Sequence, residues 1–182
     1  MSVTPVREAL SRLAGEGLVE IEANGPRRIA DLDRDGAVDV IDVFQTLALT
    51  GLTWAIARIT PDELTALRKV SEEYVTALEL GDIDAGAIGL DRFWETLFAA
   101  ARNPELDAVM RILRARIVRV LRLYAPLDDP SVYAADHLRN LEDIEARDIT
   151  GVVTRFGATM QFLLEHIARG EDKPWDQEAA TA

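Results

Sequence analysis

Two imidazoles, His137 and His166, stand far apart in a chain of 182 residues that contains no cysteine. That excludes disulfide scaffolds, thiolate metal sites and cysteine nucleophiles. No glycine-rich loop is present to cradle a phosphate. Carboxylates are plentiful, 32 Asp and Glu against 20 Lys and Arg, but they fall where solvated helix faces expect them. Nothing here assembles a nucleophile, a base and an oxyanion site, so the chain reads as a non-enzyme. The net charge of −12 argues against nucleic-acid binding over the whole surface.

The arginines are distributed unevenly. Residues 1–30 hold Arg7, Arg12, Arg27 and Arg28 against Glu8, Glu16, Glu20 and Glu22, so this segment is neutral and the remaining chain carries all of the −12. A second group, Arg111, Arg114, Arg116, Arg119 and Arg122, interleaves with Met110, Ile112, Leu113, Ile117, Val120 and Leu121 in one helical pattern. These arginines spread around the polar side instead of sharing one face. Ion pairing with neighbouring Asp and Glu is one reading. A single inward arginine, such as Arg119, that meets an anionic effector is the other.

The elements that position these residues follow from periodicity and breakers. Thr4-Pro5 reads as N-cap and first residue of a helix, with Val6, Leu10 and Leu13 on one stripe and Gly15 and Gly17 ending it. Leu18–Glu22 alternates as a strand, Asn24-Gly25-Pro26 turns, and Arg27–Ala30 returns as a second short strand. A helix followed by a two-stranded ribbon is the back half of a winged helix. After Asp35 the 3.6-residue period runs through 36–58, 61–80, 83–102, 104–124, 131–147 and 149–169. Thr60-Pro61, Gly81-Asp82, Asn103-Pro104, Pro126 to Pro130, Asp148 and Gly170 separate these stretches. The expected fold is mainly α: a partial winged helix over 1–31, an antiparallel bundle of six or so helices over 35–172, and a tail over 173–182. No apolar run is expected to approach the roughly 18 residues of a membrane span. The start, MSVTPVREAL, lacks the pattern of a secretory signal. A cytoplasmic protein without a membrane partner is expected.

The segment Thr4-Pro-Val-Arg-Glu-Ala-Leu10, with Arg12-Leu13 and Glu16-Gly-Leu-Val19, resembles the recognition helix and the start of the wing in GntR-type transcription regulators. Downstream, Arg58-Ile-Thr60 with Asp62 and Leu64, then Asn103 and Leu106, Asp136-His137 with Leu141, and Ala146-Arg-Asp148, resemble the helical ligand-sensing domain of the FadR subfamily, called FCD. The resemblance covers nearly the whole chain. It implies operator DNA as a partner, with Ser2, Thr4 and Arg7 at DNA-contacting positions and Gly25 near the minor groove. The chemistry agrees: a helix N-terminus with Thr4 suits a phosphate, Arg7 can reach guanine O6 and N7, and Arg12, Arg27 and Arg28 can add phosphate contacts. Two departures stand out. Val3 replaces an arginine that reads bases in the family, and the strand and two helices that precede this point in the family are not in the sequence. The expectation is either an upstream start or a truncated regulator, with the apolar face of 6–13 partly uncovered and DNA binding weakened. The alternative function is a stand-alone ligand-binding or dimerising module.

Many FCD domains hold a divalent metal through an Asp and a His four apart on one helix and a His on each of two later helices. Those positions fall on Leu90, Trp94, His137 and Thr159. Three of four ligands are lost, so neither a metal nor any other cofactor is expected. Asp91 is one residue out of register, about 100° round the helix, and His166 lies about 10 Å beyond Thr159. Phe44 and Ala48 stand where the family tends to show Arg and a following Glu. Phe44, Ala48, Leu90, Trp94, His137 and Thr159, with Arg119 as the inward arginine, would then line an effector pocket more apolar than usual, for an organic acid or a more apolar compound. The competing reading is that large side chains fill the pocket and no ligand binds. His137 likewise has two readings: an effector contact, or a structural imidazole on the core face with Leu141 and Ile144. A homodimer is expected, because winged-helix regulators read two half-sites with two-fold symmetry.

Overall fold

The computed structural model describes residues 3–22, 25–124 and 130–170, with the side chains at 3, 4 and 130–132 left aside. It contains α1 (Val3–Gly15), β1 (Val19–Ile21), β2 (Arg27–Ile29), α2 (Arg34–Arg58), α3 (Pro61–Glu79), α4 (Ile83–Ala99), α5 (Pro104–Tyr124), α6 (Pro130–Glu145) and α7 (Ile149–Arg169). The fold is mainly α, as the periodicity predicts, and every expected element is present within a few residues.

In the N-terminal module, α1 starts at Val3, so Thr4 lies inside the helix and not ahead of it as a cap. Pro5 sits in the first turn, where a missing N–H costs nothing. The helix ends in a paired C-terminal bond pattern: the Leu18 N–H donates to the Leu13 carbonyl at 2.9 Å and the Gly17 N–H to the Ala14 carbonyl at 3.0 Å. That geometry needs a left-handed residue, and Gly17 supplies it at φ +73°. β1 and β2 pair antiparallel, with Val19 opposite Ile29 and Ile21 opposite Arg27. At the ribbon's tip Gly25 is held so close to Glu22 that a Cβ would lie 2.6 Å from that side chain's Cβ. The apolar face of α1 is poorly covered: Val6 is 57% exposed and Leu10 and Leu13 are half-buried.

The six longer helices close into a ring. Going round it, α3 packs on α4, α4 on α5, α5 on α2, α2 on α7, α7 on α6, and α6 back on α3. Three neighbour pairs are hairpins. For the others, the Tyr124 hydroxyl donates to the Leu32 carbonyl at 2.8 Å, Arg34 donates to the Gly170 carbonyl at 3.1 Å, and along α3 and α6 Arg68 pairs with Glu145 while the later Tyr74 meets the earlier His137. Each neighbour is therefore antiparallel, and the N-terminal module sits at the end shared by the start of α2 and the end of α5. α2 is the central wall, burying Ala37, Val40, Ile41, Phe44, Ala48, Leu52, Ala55 and Ile56. It also corrects one sequence reading: α2 is long and apolar enough, by length and composition, to cross a membrane. Fewer than half of that apolar stretch is buried in the ring, and Val43 is exposed. Gly51 lets α2 approach its neighbours, since a Cβ there would meet Phe98 at 2.9 Å and Leu106 at 3.0 Å.

The end opposite the wing is stitched by arginines. Arg147 donates to the carbonyls of Ile56 and Ile59, each at 2.6 Å, satisfying groups that α2 leaves open at its C-terminus. Arg58 donates to the Ala101 carbonyl. Arg102 grips Glu63 with both nitrogens, at 2.7 and 2.9 Å. Glu63 also closes a capping box with Thr60 at the start of α3. The Arg102 hydrogen bond, then the Thr60 N–H, hold the Glu63 carboxyl down at about 2. Asn103 caps α5 and Asp148 caps α7. Arg147 does this from φ +56°, a conformation that costs a side-chain-bearing residue energy. Arg147→Ala loses both bonds and keeps the strain, so it should destabilise by about 1–3 kcal/mol. Arg147→Gly loses the bonds but relieves the backbone, and should recover about 1 kcal/mol of that. Urea unfolding of the three proteins checks the order.

Candidate functional site

Two regions carry the candidate residues. The first is the N-terminal module. Ser2 lies outside the described residues, and Thr4 is placed by its backbone in the first turn of α1. Arg7 and Arg12 on α1 and Arg27 and Arg28 on β2 are all exposed. Arg28 is tied to Glu22 on the neighbouring strand segment. Among the described residues Arg7, Arg12 and Arg27 engage no ion pair. Gly25 sits at the tip between the two strands. Helix and ribbon therefore present three uncommitted guanidinium groups on one small module.

The second region is the ring interior. Phe44 and Ala48, one turn apart on α2, are both buried, and Trp94 on α4 meets Phe44. The Trp94 ring stacks on Phe98 at 5.4 Å and meets Phe44 at 5.9 Å, Phe93 at 5.3 Å and Phe156 at 5.5 Å edge-on. One aromatic layer thus spans α2, α4 and α7, filling the volume with rings in their preferred offset and T-shaped contacts. Leu90 lies one turn before Trp94 and is half-buried. Thr159, half-buried on α7, donates its hydroxyl to the Arg155 carbonyl at 3.1 Å. His137 joins the layer from α6, its ring 4.6 Å from Tyr74 and 4.5 Å from Phe93. Burial alone pushes its pKa down to about 4, so the imidazole is neutral near pH 7. Its Nε2 is buried without a hydrogen-bond partner among the described residues. His166 is buried on α7, away from this set.

Arg119 is not part of this interior. It lines a cleft of about 20 Å³ between the N-terminal module and the bundle, with Gly17, Leu18, Asp31, Leu32 and Arg116. The inward arginine on α5 is Arg114, 4% exposed. Its Nε bonds Asp91 at 3.1 Å and its Nη2 lies 3.9 Å from Glu95. Helical spacing could not choose between Arg114 and Arg119, because both flank the apolar stripe; the signal that decides is the acidic pair Asp91 and Glu95 on the facing helix. Arg122 also pairs across to α4, with Asp84 at 2.5 Å. A shallow groove of about 290 Å³, lined by Pro61, Leu64, Thr65, Arg68 and Glu145, opens on the far outer surface.

His137 makes stability depend on pH. The unfolded imidazole takes a proton near 6.5 and the folded one near 4. Above pH 6.5 both states are neutral. As pH falls from 6.5 towards 4, the unfolded chain binds a proton that the folded chain refuses, so stability drops by up to about 1.4 kcal/mol per pH unit. His137→Phe should remove that slope in denaturant titrations across this window.

Residues 39–168 match the FCD domain. The chain is 35% identical over 107 residues to an HTH-type transcriptional regulator from the TAR-I ttuE-ttuC' intergenic region of Agrobacterium vitis, covering 56% of this chain and 61% of that protein. It is 24% identical over 157 residues to the HTH-type transcriptional regulator McbR of Escherichia coli K12, covering 83% of this chain and 70% of that protein. Among solved structures it resembles E. coli McbR/YncC with a TM-score of 0.79 at 21% identity, over 93% of this chain and 86% of that one. It also resembles a GntR regulator from Rhodococcus sp. RHA1 with a TM-score of 0.77 at 14% identity, over 95% and 83%.

Proposed function

This chain belongs to the FCD family, and we propose on that basis that it is a GntR-type transcription regulator in which α1 and the β1–β2 ribbon read operator DNA and the helical ring senses a small molecule. The observation that carries the reading is the N-terminal module: exposed, unpaired Arg7, Arg12 and Arg27 on a helix and ribbon of zero net charge, in a chain otherwise strongly acidic. Arg7, in the first half of α1, is the base-reading candidate. Thr4, Arg12, Arg27 and Arg28 are phosphate-contact candidates. Ser2 and Gly25 stand at positions that meet DNA in proteins of this type.

A route from sensor to reader is built into α5. Asp91 on α4, beside Trp94, holds Arg114. Two residues on, the Arg116 guanidinium lies 3.9 Å from where a Cβ on Gly17 would stand, at the end of α1. At the helix's end, Tyr124 holds the linker through the Leu32 carbonyl. A shift of α4 therefore reaches the module through α5. In a homodimer such a shift changes the spacing of two recognition helices, and operator half-sites must match that spacing.

Gel-shift titration against the DNA flanking the protein's own gene tests the reading. Arg7→Ala should weaken specific binding by about 1–3 kcal/mol at fixed salt, and unchanged affinity would remove Arg7 from the interface. Sedimentation at micromolar concentration should show a species of twice the 20.1 kDa chain mass. A chain that forms this dimer and binds no DNA would instead be a ligand-binding module.

A further inference from the structure

Buried polar atoms without partners are rare, because each gives up water and gains nothing in exchange. Nε2 of His137 is such an atom. Its ring lies edge-on to Tyr74 and Phe93, a setting that a phenylalanine would fill as well, so packing alone gives no reason for an imidazole. The divalent metal that the family suggests does not fit. Leu90 and Trp94 offer no donor, and the Thr159 hydroxyl is bonded to a backbone carbonyl. No group of three His, Asp or Glu converges among the described residues. One imidazole rarely holds a transition metal.

Without a metal, an anionic ligand finds no surplus positive charge. Arg114 is already outnumbered by Asp91 and Glu95, and Arg155 is balanced by Asp143 at 3.0 Å, although Nη1 of Arg114 and Nε of Arg155 are themselves buried without a hydrogen-bond partner among the described residues. A buried carboxylate here would stay unneutralised, which is costly. The rest of the interior is aromatic. Within the layer Phe44, Phe93, Phe98 and Phe156 are buried, whereas Trp94 is partly exposed. Trp94 is thus the ring of this layer that borders solvent.

We propose that the ring interior binds, without a metal, an uncharged aromatic molecule carrying one hydroxyl or N–H group, which enters as Trp94 turns outward and bonds to Nε2 of His137. The proposal rests on the reading of the bundle as the sensing domain. A neutral imidazole nitrogen donates or accepts according to tautomer, so either kind of group is served.

Calorimetric titration of the intact chain with phenol, toluene and benzoate, first after EDTA treatment and then with added zinc, tests it. Phenol should bind saturably. Toluene, which matches its shape without the hydroxyl, should bind roughly tenfold more weakly. Benzoate should not bind, and zinc should change nothing. His137→Phe, a ring in a site of rings, should keep a cooperative thermal transition and bring phenol down to the level of toluene. Zinc-dependent benzoate binding would overturn the proposal. So would phenol binding unchanged in His137→Phe, or no saturable phenol binding at all, which would leave Nε2 served by water in a sealed core. The gel shift separates the two readings. A chain that shifts DNA and binds no phenol loses this inference alone, and one that binds phenol and shifts no DNA loses the regulator reading alone.

Discussion

Three guanidinium groups hold the ring in register. At the end opposite the wing, Arg147 covers the open carbonyls of α2, Arg58 reaches the Ala101 carbonyl, and Arg102 clamps Glu63. Helix ends carry unsatisfied groups and partial charge, and a buried end without partners is unstable. Here three interhelical turns converge, and each supplies what another lacks. Once these turns are fixed, the heights of α2, α4 and α7 are fixed too. That places Phe44, Trp94 and Phe156 in one layer. It also explains the signature residues of the helical half: Arg58, Thr60, Asn103 and Arg147 with Asp148 are the turn-forming and capping groups of this end.

The aromatic layer decides what the interior can do. Leu90, Trp94 and Thr159 offer this interior no strong ligand for a cation, and the indole packs between Phe44 of α2 and Phe156 of α7. A ring interior filled in this way has a low effective polarity, which keeps His137 neutral. The same burial leaves its Nε2 without a partner. Filling the site and leaving one polar atom unmet are two consequences of one set of substitutions.

At the other end, the wing module is lightly attached. Its helix leaves Val6 more than half exposed, and its strands are three residues each. The contacts that tie it to the bundle run through α5, whose Arg116, Arg119 and Tyr124 face Gly17, Asp31 and Leu32. A small module on a few polar contacts can reorient at low cost. The ring and the N-terminal module are therefore held unequally, one by an extensive core and the other by a few contacts along α5.

Local chemistry was legible in the sequence. Breakers and caps act within a few residues, so Thr60-Pro61, Gly81-Asp82, Asn103-Pro104 and Asp148 marked the helix boundaries closely, alternation marked the first strand, and the Asn24-Gly25-Pro26 turn marked the return of the second. The TPVREAL segment carried the resemblance to GntR-type regulators. What required tertiary structure were the choices between residues that are equivalent along the chain. Arg114 and Arg119 flank the same apolar stripe, and only Asp91 and Glu95 on the facing helix make Arg114 the buried one. Length and composition alone would let α2 cross a membrane, and only packing shows that its side from Ala37 to Ile56 is buried in the ring. The packing of Trp94 against Phe44 and Phe156, and the orphaned nitrogen of His137, exist only once helices distant in sequence meet. Periodicity fixes which face of a helix is buried, but the partner across that face is set by packing.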